Sequence, residues 1–392
     1  MHFTRWLGAF TALLLGAGCV THTASPTRND VLLLTAPAQR LVYQRGTDGV
    51  GMLPVAGTCA WPGAVIETRV TEVKSRSEIQ KWQRVAEVGG DGRFAGQLKI
   101  KGGWYRLEVR ATYRRQHATA RVERVGIGEV FIVVGHSVAH GGRTNLTDAT
   151  SDLVNTIAWP TNSDAARKEY ERTADPQLLP ALVGAHFTDG VRPAPFGNGT
   201  YFWAQFADRV AAAQGVPVLL LNAAFGGTSL EHWAKSARGQ QFEHSFVKSP
   251  LRMPYINLHH ALRRYATVTG VRAILADQGQ NDWPENDAGK VFTNYVMWVE
   301  QARVDLGFPA LAVVVNRASP PGNRPIIRRV QEQMIREVPH CYAGPDYDTL
   351  RKSDRYDAVH FSASGLPHAA QLWADTLNTR FFQEVTPYQP VP

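Results

Sequence analysis

The chain has 392 residues, 44% hydrophobic and 19% charged, a globular composition long enough for two domains and too apolar for a disordered chain. Its formal net charge is +8, yet the basic residues are scattered with no run of five Lys or Arg, which argues against a nucleic-acid partner. A solvated basic surface is the simplest reading, with weak attraction to anionic lipid or an acidic polysaccharide left open.

Arg5 precedes an apolar run, Trp6 to Leu15, followed by Gly16-Ala17-Gly18-Cys19. The run is too short to span a bilayer and reads as a secretory leader. Small residues directly before a cysteine resemble a bacterial lipobox, although Leu15 stands one place earlier than the motif's leucine. That resemblance implies lipidation of Cys19, which becomes the mature N-terminus; a plain signal peptide with a chance cysteine is the alternative. Val20 stands where an Asp is associated with inner-membrane retention, so an exported protein anchored at the outer membrane or surface of a bacterial envelope is expected. Residues 20–30 are polar, rich in Ser and Thr, and read as a tether. Cys59 and Cys341 are the other cysteines; two separate buried thiols are expected, with pairing left open.

Residues 31–125 carry the signals of an antiparallel β-domain. Tyr105, Leu107 and Val109 alternate with Arg106, Glu108 and Arg110, the period of a half-buried strand. Gly89-Gly90-Asp91-Gly92 and Gly102-Gly103 read as hairpin turns, and no helical pattern interrupts. A small immunoglobulin-like β-sandwich is expected. From Gly126 the texture changes. Val130 to Val134, Val218 to Leu221, Ala273 to Ala276 and Ala310 to Val315 read as strands buried on both faces. Tyr201 to Gln214 places Phe202, Trp203, Phe206, Val210 and Ala213 on one helical face, with Thr200 as N-cap and Gly215 as C-cap. Alternation of this kind predicts a three-layer α/β/α domain with a parallel sheet over residues 126–385, followed by a tail, 386–392. In such sheets ligands gather outside the carboxyl ends of the strands.

Four polar constellations fall at those positions. Gly135-His136-Ser137 follows the first strand, where a glycine lets the chain turn sharply and expose a hydroxyl. Asn222-Ala223-Ala224-Phe225-Gly226-Gly227-Thr228-Ser229 follows the second; its paired glycines make either an ordinary turn or a bare backbone N–H for an oxyanion. Asp277-Gln278-Gly279-Gln280-Asn281-Asp282-Trp283 follows the third, and the Asn281 amide either donates to that oxyanion or caps a turn. Asp357-Ala358-Val359-His360 precedes the last helix. Its Asp and His would splay apart on a regular strand but converge on a loop.

Together and in this order, the four blocks resemble the SGNH (GDSL-like) hydrolases over roughly residues 126–385. Gly128-Glu129-Val130, the run from Asn222 to Trp233, Gly344-Pro345-Asp346-Tyr347-Asp348 and Tyr356 to Ser362 resemble its sialate O-acetylesterase-related carbohydrate esterases, which often carry an appended β-domain. His136 departs from the usual Asp or Gln before the nucleophile, Val138 from the usual Asn after it, and Gln280-Asn281-Asp282 from a Glu-containing variant. The resemblance implies a serine esterase without metal or cofactor. Ser137 is the expected nucleophile, His360 the base and Asp357 its orienting acid. The Ser137 N–H, the Gly226 or Gly227 N–H and the Asn281 amide would hold the oxyanion, and an acyl-enzyme would form on Ser137. An O-acetylated carbohydrate is the implied substrate, with His136, His140, Gln280 and Trp283 either touching it or merely packing.

Three other readings compete. His136 and His140 are spaced as two metal ligands on a helix, but Ser137 stands where a zinc protease needs Glu. Gly135-His136-Ser137-Val138-Ala139 approaches the α/β-hydrolase elbow, yet Ser137 follows the first core strand rather than a later one. A non-catalytic, glycan-binding surface lipoprotein on a hydrolase scaffold is the alternative from another class.

Overall fold

A computed structural model of the chain describes residues 31–142, 147–160, 164–188, 190–319 and 325–390. The expected leader, Cys19 and the tether lie outside the described residues.

The N-terminal region is built from β1 (Leu32–Ala36), β2 (Val42–Gln44), β3 (Val50–Cys59), β4 (Val65–Glu72), β5 (Glu78–Glu87), β6 (Arg93–Lys101) and β7 (Gly103–Tyr113). Strands β1, β3 and β6 pair antiparallel in one sheet, while β5, β4 and β7 pair antiparallel in a second. The two sheets contribute Leu53, Val55 and Leu98, and Ile66, Val70, Leu107 and Val109, to one apolar cluster. The alternation over Tyr105–Arg110 is present in β7.

The glycine turns have a different role from the one expected. Gly89–Gly92 joins β5 to β6 and Gly102 joins β6 to β7, and each pair of strands lies in different sheets. These turns carry the chain between sheets and close no hairpin. A hairpin uses Arg114-Arg115 between Tyr113 and Gln116, with Arg114 at a left-handed φ of 54°. Such a turn has no glycine to announce it.

The texture change at Gly126 marks no chain boundary in the backbone. A single strand, β8 (Gln116–Gly135), pairs with β7 through its first part and enters the central sheet with its last. Gly128 is required by close packing, since a Cβ there would lie 1.9 Å from the Pro217 carbonyl oxygen.

The remaining strands are β9 (Val154–Trp159), β10 (Gly184–His186), β11 (Arg192–Pro193), β12 (Val218–Asn222), β13 (Ala273–Asp277), β14 (Ala312–Arg317) and β15 (Cys341–Asp346). In space the order is β10-β9-β12-β8-β13-β14-β15, and every pairing from β9 to β15 is parallel. The helices are α1 (Ser137–His140), α2 (Asp164–Thr173), α3 (Trp203–Gln214), α4 (Leu230–Ala237), α5 (Tyr255–His260), α6 (Thr267–Thr269), α7 (Ala288–Leu306), α8 (Pro325–Glu337), α9 (Gly365–Thr376) and α10 (Thr379–Glu384). A π-helical stretch, Ala261–Ala266, joins α5 to α6.

Two-residue periodicity sorts the central strands onto two helical layers. Phe131, Val133, Leu220, Leu275 and Val314 pack with Trp203 and Phe206 of α3 and Trp373 of α9. Ile132, Val134, Leu219, Ile274 and Val313 pack with Trp233 of α4, Trp298 of α7 and Met334 of α8. This is the mixed α/β architecture expected, with a large, mainly parallel sheet.

Details of α3 differ from expectation. Its N-cap is Phe202, without a side-chain cap bond, rather than Thr200. Ala213 is exposed, because the buried stripe runs through Trp203, Phe206, Ala207, Val210 and Ala211. Gly215 is the left-handed C-cap anticipated. Cys59 and Cys341 are buried free thiols. Within the C-terminal tail, Tyr388 exchanges backbone bonds with Val271, and Gln389 donates to the Gln44 carbonyl.

Candidate active site

The polar constellations sit where β8, β12 and β13 end. Gly135, opposite Asp277 of β13, has φ 140°, and a Cβ there would lie 2.0 Å from the Asp277 carbonyl oxygen. The chain can therefore turn off β8 tight against its neighbour only without a side chain. His136 caps α1, and Ser137 is the first residue of that helix.

Ser137 Oγ lies 2.7 Å from His360 Nε2, and His360 Nδ1 lies 2.8 Å from Asp357 Oδ2. Asp357 Oδ1 accepts from the Val359 N–H at 2.7 Å and the His360 N–H at 2.6 Å. The Tyr356 N–H donates to the His360 carbonyl, closing the loop. An acidic side chain folding back onto its own backbone turns both Asp357 and His360 to one side. Burial pushes the Asp357 carboxyl up, but those two backbone donors and the imidazole outweigh it and hold the group below its ordinary range. The Tyr356 ring stacks on the His360 imidazole at 5.7 Å and 9°.

His136 is fully buried behind Ser137, its Nδ1 3.4 Å from Ser137 Oγ. Burial, reinforced by the neighbouring His360, lowers its pKa to about 3 against the pull of Gln280. It is a neutral imidazole near neutral pH.

The glycine pair after β12 flanks the serine. A Cβ at Gly226 would lie 3.7 Å from Ser137 Cα and 3.4 Å from His140 Nδ1, and Gly227 has φ 77°. The third block holds this turn in place. Gln278 Nε2 and Asn281 Nδ2 both donate to the Thr228 carbonyl, at 2.9 and 3.2 Å, and Asp282 accepts from the Leu230 N–H at 2.9 Å. Asn281 thus spends one amide proton on the turn and keeps a second. Burial raises the carboxyls of Asp277 and Asp282 to about 7.

Ser137, Gly226 and Gly227 line a cleft of about 760 Å³ together with His140, Phe196, Phe225, Phe246, Asn198 and Met253. Arg167, Lys168, Arg192 and Lys248 add positive charge to its wall against Asp164 and Glu171. Arg192 pairs with Asp164 at 2.8 Å, and Arg167 lies 3.7 Å from Glu171. Of the four side chains expected near a substrate, His140 lines the cleft, with Nε2 2.9 Å from the Phe196 carbonyl. His136 and Gln280 are buried, and Trp283 is half exposed. His136 and His140 have these separate surroundings, and no three His, Cys, Asp or Glu side chains converge to hold a metal among the described residues.

Residues 128–379, more than half of the chain, match the sialic acid-specific acetylesterase family of carbohydrate esterases. The chain belongs to this family. It is a carboxylic ester hydrolase. No curated protein matches its sequence. Among solved structures the esterase is similar to a carbohydrate acetylesterase from Xanthomonas citri, with 17% identity and a TM-score of 0.53 over 88% of this chain and 74% of that one. That likeness is one of fold. An Arabidopsis thaliana protein aligns at 17% identity and a TM-score of 0.43, over 66% of this chain and 98% of that one.

The esterase also uses residues to which sequence reasoning gave no role. Asn222, buried, donates to the Ala139 carbonyl at 2.9 Å and accepts from the Ala224 N–H at 3.0 Å, tying the end of β12 to α1. Its place at the start of the second block was the available signal. Phe246, Lys168 and Lys248 carried none, because a cleft wall has no sequence period.

Proposed function

We propose that the protein is a serine acetylesterase acting on O-acetylated carbohydrates. In this mechanism His360 takes the Ser137 proton as the hydroxyl attacks the ester carbonyl, then returns it to the departing sugar alkoxide. Asp357 holds the imidazole in the tautomer that accepts at Nε2 and balances its charge. The oxyanion is met by the backbone N–H groups of Ser137 and of Gly226 or Gly227, and by the second amide proton of Asn281. Water then releases acetate from the acyl-serine. The observation that carries the reading is the unbroken chain of contacts at 2.7 and 2.8 Å from Ser137 through His360 to Asp357, with Ser137 on the wall of a cleft. The family membership supports the substrate class.

The test is hydrolysis of a chromogenic acetyl ester and release of acetate from acetylated glycans. The native protein should turn over both, and Ser137→Ala should lose at least about a thousandfold in kcat. A native protein without turnover, or a Ser137→Ala protein with full activity, overturns the reading.

We further read the paired sheets of residues 31–125 as a small β-sandwich appended to the hydrolase. Export and lipidation at Cys19, with anchoring to the bacterial envelope, rest on the lipobox-like sequence alone. Among the described residues no helix is long and apolar enough to cross a membrane. Cys19→Ala should move the protein from the membrane to the soluble fraction; unchanged fractionation refutes the anchor.

A further inference from the structure

Three large aromatic side chains are about half exposed or more among the described residues: Tyr356 at 64%, Phe246 at 57% and Trp283 at 48%. All three lie on loops at the site end of the sheet, two of them within the third and fourth blocks. An exposed aromatic ring forgoes its burial energy, and two of the three stand at the site itself, Tyr356 stacked on His360 and Phe246 on the cleft wall.

Phe246 is the one that lines the cleft with Ser137, and its position is fixed. His244 Nδ1 accepts from the Phe246 N–H at 3.3 Å and the Val247 N–H at 3.2 Å, while His244 Nε2 lies 3.4 Å from the Gly227 carbonyl. An imidazole that accepts at Nδ1 carries its proton at Nε2, so it ties the loop to the turn beside the nucleophile. A Cβ at Gly227 would lie 2.6 Å from Phe246 Cζ, so the missing side chain makes room for the ring. Behind it the rings are nearly parallel: Phe246 to Phe225 at 6.2 Å and 19°, Phe225 to Phe196 at 4.7 Å and 21°, Phe196 to His140 at 5.5 Å and 12°. The column backs Phe246 on one side and the His244 ring stands perpendicular to it at 4.5 Å, yet more than half of the residue stays exposed at the rim.

We propose that Phe246 is a specificity-determining residue, the platform on which a pyranose ring of the substrate stacks while its ester reaches Ser137. The weakly positive C–H bonds on one face of a pyranose meet the negative face of an aromatic ring. The hydroxyls at the sugar's edge find Asn198, Lys168 and Lys248 on the same cleft wall. An ester without a sugar uses the nucleophile and gains nothing from the platform. This inference rests on the carbohydrate-ester reading above.

The experiment compares two substrates in native, Phe246→Ala and Phe246→Trp proteins: glycerol triacetate, a small non-aromatic ester, and the best of a panel of partially acetylated xylo-, manno- and chito-oligosaccharides and O-acetylated N-acetylneuraminate. Phe246→Ala should lower the ratio of glycan to triacetate kcat/KM roughly tenfold, mainly through KM on the glycan, and Phe246→Trp should keep it within about threefold. Equal losses on both substrates, or a tryptophan no better than alanine, overturn the platform. Calorimetry of deacetylated oligosaccharides with Ser137→Ala and Ser137→Ala/Phe246→Ala separates binding from turnover, and the second variant should bind roughly tenfold more weakly. A native protein that cleaves triacetate but no glycan, in a Ser137→Ala background that binds none, sinks the carbohydrate reading and the platform with it. Glycan turnover with an unmoved ratio sinks the platform alone.

Discussion

A serine hydroxyl is a poor nucleophile until a neighbour accepts its proton, and two imidazoles lie near Ser137. Only one suits the work. His136 is buried and its pKa is lowered to about 3, so its surroundings disfavour the second proton that a general base must take up. His360 is partly open to solvent and backed by the Asp357 carboxylate at 2.8 Å. The oxyanion role proposed for Asn281 is separable from the turn, because Gln278 holds the same Thr228 carbonyl at 2.9 Å. Asn281→Ala should therefore leave the turn standing and lower kcat by about a hundred- to a thousandfold, roughly 3–4 kcal/mol of transition-state stabilisation. Steady-state kinetics on an acetyl ester checks this. An unchanged kcat removes Asn281 from the oxyanion site.

At the scale of elements, the site depends on how closely β8 and β13 approach as they end. Gly135 and Asp277 are register partners, and the Gly135 backbone at φ 140° leaves 2.0 Å for a methyl group. Gly135→Ala must part the strands or move the turn. A cost of at least about 2 kcal/mol is expected from the conformation and the overlap, read as a lower urea midpoint. The esterase rate should fall further than stability does, because Ser137 is two residues away. The fourth block works differently: its geometry is local, set by Asp357 accepting from the N–H groups two and three residues on.

Across the whole molecule, the far end of the sheet is locked by a buried charge cluster. Glu129, with no exposed side chain, accepts from Arg272 Nε at 2.8 Å, Arg45 Nε at 2.7 Å and Gln44 Nε2 at 2.9 Å. Arg272 also donates to the Val385 carbonyl at 2.8 Å and to the Arg45 carbonyl at 3.2 Å. One carboxylate therefore joins the N-terminal region, the central sheet and the C-terminal segment. Glu129→Ala leaves a buried guanidinium uncompensated and should cost about 3–5 kcal/mol. Chemical denaturation measures that loss, and a change within about 0.5 kcal/mol would show the cluster to be dispensable.

What was legible in the sequence is what repeats or what has a fixed local chemistry. The doubly buried strands at Val130, Val218 and Ala273 and the helix after Phe202 declare themselves through periodicity, and the four blocks through residue type and order. Features that depend on a distant partner stayed hidden. β9 carries Asn155 and Thr156 in its interior, made tolerable by Arg40 and the Leu220 carbonyl, so it lacks an apolar run. β15 contains Gly344 and Pro345 and is tolerated because it lies at the sheet's edge. The β8 strand crosses the texture change at Gly126 because backbone pairing ignores composition, and the glycine turns join different sheets because sheet membership is settled by which surfaces meet. The cleft's aromatic and basic wall is assembled from α2, the loop before α3 and the loop after α4. Only the packing of those elements brings Lys168, Phe196 and Phe246 to one face.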